Sequence, residues 1–168
     1  MASGRNFTED SASDTSLAVQ EAQAWIEAVT EQKFKASFRD SLEDGIILCE
    51  LIQTIRPGCI RKINRRSNPI AHLDNIRQFL GACKELGLKD AQLFEVTDLQ
   101  PPNTLARKES SNNVLRRSDA VRRIRSVCVT LFWLGNVAST LKDYTGPQLD
   151  LKAFKEILAG GRRRVWRN

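Results

Sequence analysis

The chain has 168 residues, 41% of them hydrophobic, and a formal net charge of +6, enough apolar material for one core of ordinary size. No apolar run approaches the roughly 18 residues of a membrane span, and the N-terminus is polar where a signal peptide would be greasy. The 4 cysteines, Cys49, Cys59, Cys83 and Cys128, fall singly, which suits reduced, buried thiols in a cytosolic protein better than a disulfide framework or a zinc site.

In chain order, residues 1–14 are small and polar and read as a disordered segment. Asp14, Thr15 and Ser16 supply capping side chains, and Ala18, Ala22, Trp25, Ile26 and Val29 recur at helical spacing up to about Glu31. Phe34 and Phe38 follow in a turn, as plugs for the core. The turn-forming Glu43, Asp44 and Gly45 then lead into a helix that is apolar nearly all round: Ile47, Leu51 and Ile55 make one row, Leu48 and Ile52 the next. Such a helix belongs inside a protein. It stops at Arg56, Pro57 and Gly58, and 59–69 form an irregular basic connection.

The spacing of Leu73, Ile76, Leu80 and Cys83 predicts a helix from about Ala71 to Leu86, with Gly87 as its left-handed C-terminal residue. Asp90–Phe94 reads as a short helix, followed by the pair Asp98 and Leu99. An extended basic loop of Pro, Asn, Ser and Arg covers about 100–117. A long helix from about Ser118 to Ala138 carries Ile124, Cys128, Leu131 and Gly135 on one stripe, with Val127 and Leu134 beside it. Leu151, Phe154, Ile157 and Leu158 mark a terminal helix after the turn at Gly146 and Pro147, and a basic tail occupies 160–168. No run alternates as a strand would, so the fold class is all-α, with about four main helices and two or three short ones.

Two motifs in one order carry a family resemblance. Leu42, Asp44, Gly45, Leu48 and Leu51, followed by Asn75, Ile76, Phe79 and Leu80, resemble the signatures of the calponin homology domain. Trp25 matches the aromatic anchor of its first helix, and Asp98 and Leu99 its turn after the short helix. The stretches 21–27, 62–65, 69–76 and 130–135 are similar to the single N-terminal domain of the LIM-and-calponin-homology proteins. The resemblance covers about Gln20 to Leu158, with 15–159 as the domain. Residues 101–109, including Arg107 and Lys108, stand as an insertion, and the tail lies outside it. It implies a single domain of a longer protein or a short isoform, monomeric, in the cytoplasm at the cytoskeleton, with stress fibres or cell junctions as the finer location. The implied partners are F-actin or actin- and myosin-associated proteins. A protein scaffold that does not touch actin, or a basic surface for phosphoinositides, remains open beside them.

Charge narrows where a partner would sit. Residues 1–100 carry 12 basic and 15 acidic side chains, whereas 101–168 carry 14 basic and 5 acidic. A basic half attracts an acidic filament surface, anionic lipid or nucleic acid. Arg61, Lys62, Arg65 and Arg66 form one basic run, and Arg116, Arg117, Arg122, Arg123 and Arg125 another on a helix, where several guanidinium groups share a face. For each run the alternative is a solvated basic surface. Ser67, Ser110 and Ser118 lie near arginines, as basophilic kinase sites do. The arginines are not interleaved with base-stacking aromatics, which argues against nucleic acid. The lone His72 sits at a helix start without a cysteine near it in sequence, and no phosphate loop, dinucleotide fingerprint or Cys/His cluster is present. The chain therefore reads as non-enzymatic and implies no cofactor and no metal.

Overall fold

The computed structural model describes residues 7–101 and 113–159, with side chains for 15–101 and 119–156, and contains no strand among them. The helices are α1 (Phe7–Thr30), α2 (Phe38–Leu42), α3 (Ile46–Ile55), α4 (Pro69–Glu85), α5 (Asn113–Thr140) and α6 (Leu151–Ala159). Two 3-10 turns, Asp90–Gln92 and Val96–Asp98, lie between α4 and α5. The fold is all-α, as the periodicity predicts.

The helix that is apolar on every side is the centre of the packing. Ile47, Leu48, Cys49, Leu51, Ile52 and Ile55 of α3 are all buried, enclosed by α1, α2 and α4. Each such aliphatic side chain contributes about 1.5–3 kcal/mol on leaving water. Helix α1 adds Ala18, Ala22, Trp25, Ile26 and Val29 to the core and packs on α5, α6 and α3. On α4 the buried stripe is Ile76, Phe79, Ala82 and Cys83; Leu73 and Leu80 sit half-buried at its edge.

Polar bonds and close approaches fix the remaining segments. Helix α4 ends in a Schellman motif: Gly87 N donates to Lys84 O at 2.9 Å and Leu88 N to Cys83 O at 3.0 Å, with Gly87 at φ +108° and Leu88 buried. The buried Thr130 hydroxyl ties α5 to the first 3-10 turn, accepting from Phe94 N and donating to Gln92 O, both at 2.8 Å. Trp25 Nε1 donates to Pro147 O at 3.0 Å, joining α1 to the segment before α6. Gly135 lets Leu149 approach α5: a Cβ there would stand 2.8 Å from Leu149 Cδ2.

Three boundaries differ from expectation. Helix α1 starts at Phe7, ahead of the expected start near residue 15, and no glycine or proline interrupts 7–30. Helix α5 starts at Asn113, ahead of Ser118; Leu115, Arg116 and Arg117 are good helix formers and 113–117 contain no glycine or proline. Phe38 opens the short helix α2, where a turn was expected; the Ser37 hydroxyl accepts from Asp40 N at 3.2 Å and caps it. Residues 1–6, 102–112 (with Arg107, Lys108 and Ser110) and 160–168 lie outside the described residues.

Candidate functional site

The basic loop between α3 and α4 is set by one buried amide. Asn75, fully buried on α4, donates through Nδ2 to Asp44 O at 2.9 Å and to Asn64 O at 2.7 Å. Its Oδ1 accepts from Asn64 N at 2.8 Å. One side chain thereby joins α4, the turn before α3 and the basic loop. Gly45 is required at that turn for two reasons: its φ is +72°, and a Cβ would lie 2.8 Å from Asn75 Cβ. Asp44 Oδ1 accepts from Ile46 N at 2.9 Å and so begins α3.

Fixed at Asn64, the loop lines an open groove of about 1070 Å³ with Arg61, Lys62, Ile63, Asn64, Arg65 and Arg66, against Asp74 and Gln78 of α4. Gln78 Nε2 donates to Lys62 O and to Asp74 Oδ2, both at 2.9 Å; its Oε1 is left buried without a hydrogen bond. Arg65 reaches Glu50 at 3.0 Å and stays 63% exposed. Arg61, Lys62 and Arg66 are exposed and make no ion pair among the described residues. Three cations are therefore free and a fourth is lightly held.

The second basic set is organised differently. Arg122 Nη2 and Arg123 Nε both pair with Asp119, at 2.6 and 2.9 Å, and Arg123 Nη1 donates to Thr97 O at 3.3 Å. The hydrogen bond from Arg122, aided by Arg123, holds the Asp119 carboxyl below its usual range, and Asp119 in turn raises Arg122. Arg123 thus clips α5 to the second 3-10 turn, and Arg125 is half-buried and not free. Arg116 and Arg117 belong to α5, but their side chains lie outside the described residues. The structure brings the first four basic residues to one groove and gives Arg122 and Arg123 an intramolecular acid. Asn64, Asp74 and Gln78, the polar wall of the groove, were missed in the sequence. Part of the signal was available: on α4, Asp74 lies four residues and Asn75 three residues before Gln78.

The signature residues have structural work. Leu42, Leu48, Leu51 and Leu99 are fully buried, as are Phe79 and, nearly, Trp25 and Ile76; Leu80 is half-buried. Asp98 Oδ2 accepts from Glu95 N at 2.9 Å and closes its own turn. The thiols of Cys49, Cys83 and Cys128 are buried and that of Cys59 half-buried; burial raises all four, Cys49 and Cys128 to about 12. Cys49 Sγ donates to Asn75 O at 3.2 Å. Such thiols are packing groups, not nucleophiles. His72 borders a smaller cleft of about 400 Å³ with Glu43, Pro69, Leu73, Ile76, Val96, Leu99, Gln100 and Pro101. Beside it Ile70 is 80% exposed.

A family model described as the calponin homology (CH) domain matches residues 17–107. The chain is similar to LIM and calponin homology domains-containing protein 1 of Xenopus laevis, 46% identical over 93% of this chain and 14% of that protein. It is also similar to a calponin homology and LIM domain-containing protein of Dictyostelium discoideum, 40% identical over 89% of this chain and 19% of that protein. Muscle-specific protein 20 of Drosophila melanogaster is 32% identical over 82% of this chain and 65% of its own length. The chain thus spans under a fifth of the first two relatives. The solved calponin-homology domain of an IQGAP protein from Schizosaccharomyces pombe shares the fold, with TM-score 0.57 and 21% identity over 92% of this chain and 91% of that one.

Proposed function

The chain belongs to the calponin homology domain family, and from that premise we propose that it is a non-enzymatic adaptor module of the cytoplasmic cytoskeleton. Its partner is the acidic surface of actin filaments or of actin- and myosin-associated proteins. The observation that carries this reading is the groove of Arg61, Lys62, Arg65 and Arg66, in which four cations share one face and acids neutralise only a part of the charge. Arginine forks suit bidentate contact with carboxylates. A single groove without a tethered second site gives weak, salt-sensitive binding. The muscle-specific name of one relative is in keeping with a contractile or junctional setting.

The test is co-sedimentation of the purified chain with actin filaments at low and near-physiological salt. Saturable binding lost in Arg65→Glu with Arg66→Glu, but kept in Arg122→Glu, supports the reading. Binding to phosphoinositide vesicles without binding to filaments replaces it with a lipid-surface role. A scaffold reading rests on the apolar cleft beside exposed Ile70; it gains if filaments never bind and Ile70→Asp releases a protein partner.

A further inference from the structure

We propose that Ser67 is a phosphoacceptor for an arginine-directed protein kinase, and that its phosphate switches off the groove beside it. This regulation rests on the acidic-partner reading of that groove. Ser67 is exposed, and its hydroxyl holds no hydrogen bond among the described residues. Every residue from Arg65 to Ile70 is exposed, and 62–66 belong to no helix or turn. The extended, solvent-facing run thus leads up to Ser67, which with Asn68 forms the bend before α4, and a kinase cleft takes hold of the arginine side of it. Ser118, by contrast, lies inside the helical run of α5, so its backbone would have to unwind first.

Charge and anchoring make the same case. Arg66, Arg65, Lys62 and Arg61 precede the serine by one, two, five and six positions, the side on which a basophilic kinase presents carboxylates to guanidinium forks. The segment is held at both ends. Upstream, Arg66 N donates to Asn64 Oδ1 at 3.2 Å and Asn64 is fixed by Asn75. Downstream, Asn68 Oδ1 caps α4 by accepting from Ala71 N at 2.8 Å. The serine therefore stands in a short exposed bend between two fixed points.

The reaction is a plain phosphoryl transfer from ATP. Ser67 Oγ bonds to the γ-phosphorus, the bond from that phosphorus to the oxygen of departing ADP breaks, and the hydroxyl proton passes to the kinase's catalytic carboxylate. The product adds about −1.5 to −2 charges beside Arg65 and Arg66, and directly before the cap of a 17-residue helix whose N-terminal end favours an anion. About half the charge of the four basic groups is offset in place.

The experiment treats the full chain with the catalytic subunit of an arginine-directed kinase and MgATP, and maps the phosphate by mass spectrometry. Retention on a heparin column and actin co-sedimentation are then measured on the modified and unmodified chains. The expected result is Ser67 as the dominant site, absent in Ser67→Ala and regained in Ser67→Thr. Elution from heparin should move to lower salt, and filament affinity should fall by about tenfold. A folded chain that takes no phosphate on Ser67 overturns the proposal, as does a phosphate there that leaves heparin retention unchanged. If the unmodified chain never sediments with filaments while the phosphate still shifts retention, the filament reading falls and the Ser67 switch stands.

Discussion

Replacing Asn75 with alanine removes the amide that joins α4, the α3 turn and the basic loop. Three backbone groups lose their partner: Asp44 O, Asn64 O and Asn64 N. A buried polar group left without a hydrogen bond costs about 1–3 kcal/mol. Asn64 is half-buried, so water can reach its groups and the lower figure applies there. The total is then about 3–5 kcal/mol, out of the roughly 5–15 kcal/mol that hold a domain folded. With a urea slope near 2 kcal/mol/M, the denaturation midpoint should drop by about 2 M, and the Asn64 amide should exchange with solvent much faster. Asn75→Asp, of equal size but without the two donors, should fall at least as far. A midpoint within about 0.5 M of the parent in both variants would refute the view that this amide organises the loop.

Further outcomes are open to measurement. Gly45→Ala should cost about 2–4 kcal/mol by urea melt, since the alanine must hold a left-handed φ and its Cβ meets Asn75. Leu48→Ala should cost about 2–5 kcal/mol, as for a fully buried leucine; an unchanged midpoint would remove α3 from the centre of the core. Trp25→Phe loses the bond to Pro147 O and the volume of one ring of the indole in the core, and should cost about 2–4 kcal/mol, read as a drop in Tm. Burial raises Cys49 and Cys128 to about 12 from an ordinary 9.0, so between those pH values the folded chain holds more protons than the unfolded one. Stability is then fully present below pH 9 and declines as pH climbs toward 12; urea midpoints measured from pH 8 upward should fall, and less steeply in Cys128→Ala, compared with its own value at pH 8.

The sequence made the core legible and the wall of the groove much less so. Helices α3, α4 and α5 were readable because burial on nearly every side, or on a broad stripe, leaves an apolar period in the residues themselves. Gly87 was readable because a helix end followed by a buried Leu88 needs a left-handed residue there. The early starts of α1 and α5 were hidden, since 7–14 and 113–117 are too short and too sparse in apolar residues to show a helical period of their own. The two arginine runs looked alike in sequence. The fold separates them, because Asp119 pairs with its neighbours one helical turn on, whereas the α3–α4 loop meets only Glu50 of α3 among the described residues and lies against Asp74 of α4 without pairing with it. The clasp of Asn75 on Asn64 and Asp44 is long-range, and no local pattern announces a hydrogen bond of that kind.

The bond from Trp25 to Pro147 spans 122 residues, and α1 finds its main neighbours, α5 and α6, at the other end of the chain. A ribosome adding about 5–20 residues per second takes roughly 6–25 s to make the intervening stretch. Through that interval α1 can pack on α3, but the cover it takes from α5 and α6 is still missing or incomplete. Helix α1 is therefore fully seated only after the helices that follow it have been made. A nascent chain stalled before α5 would leave the core side of α1 short of that cover and open to a chaperone at the exit.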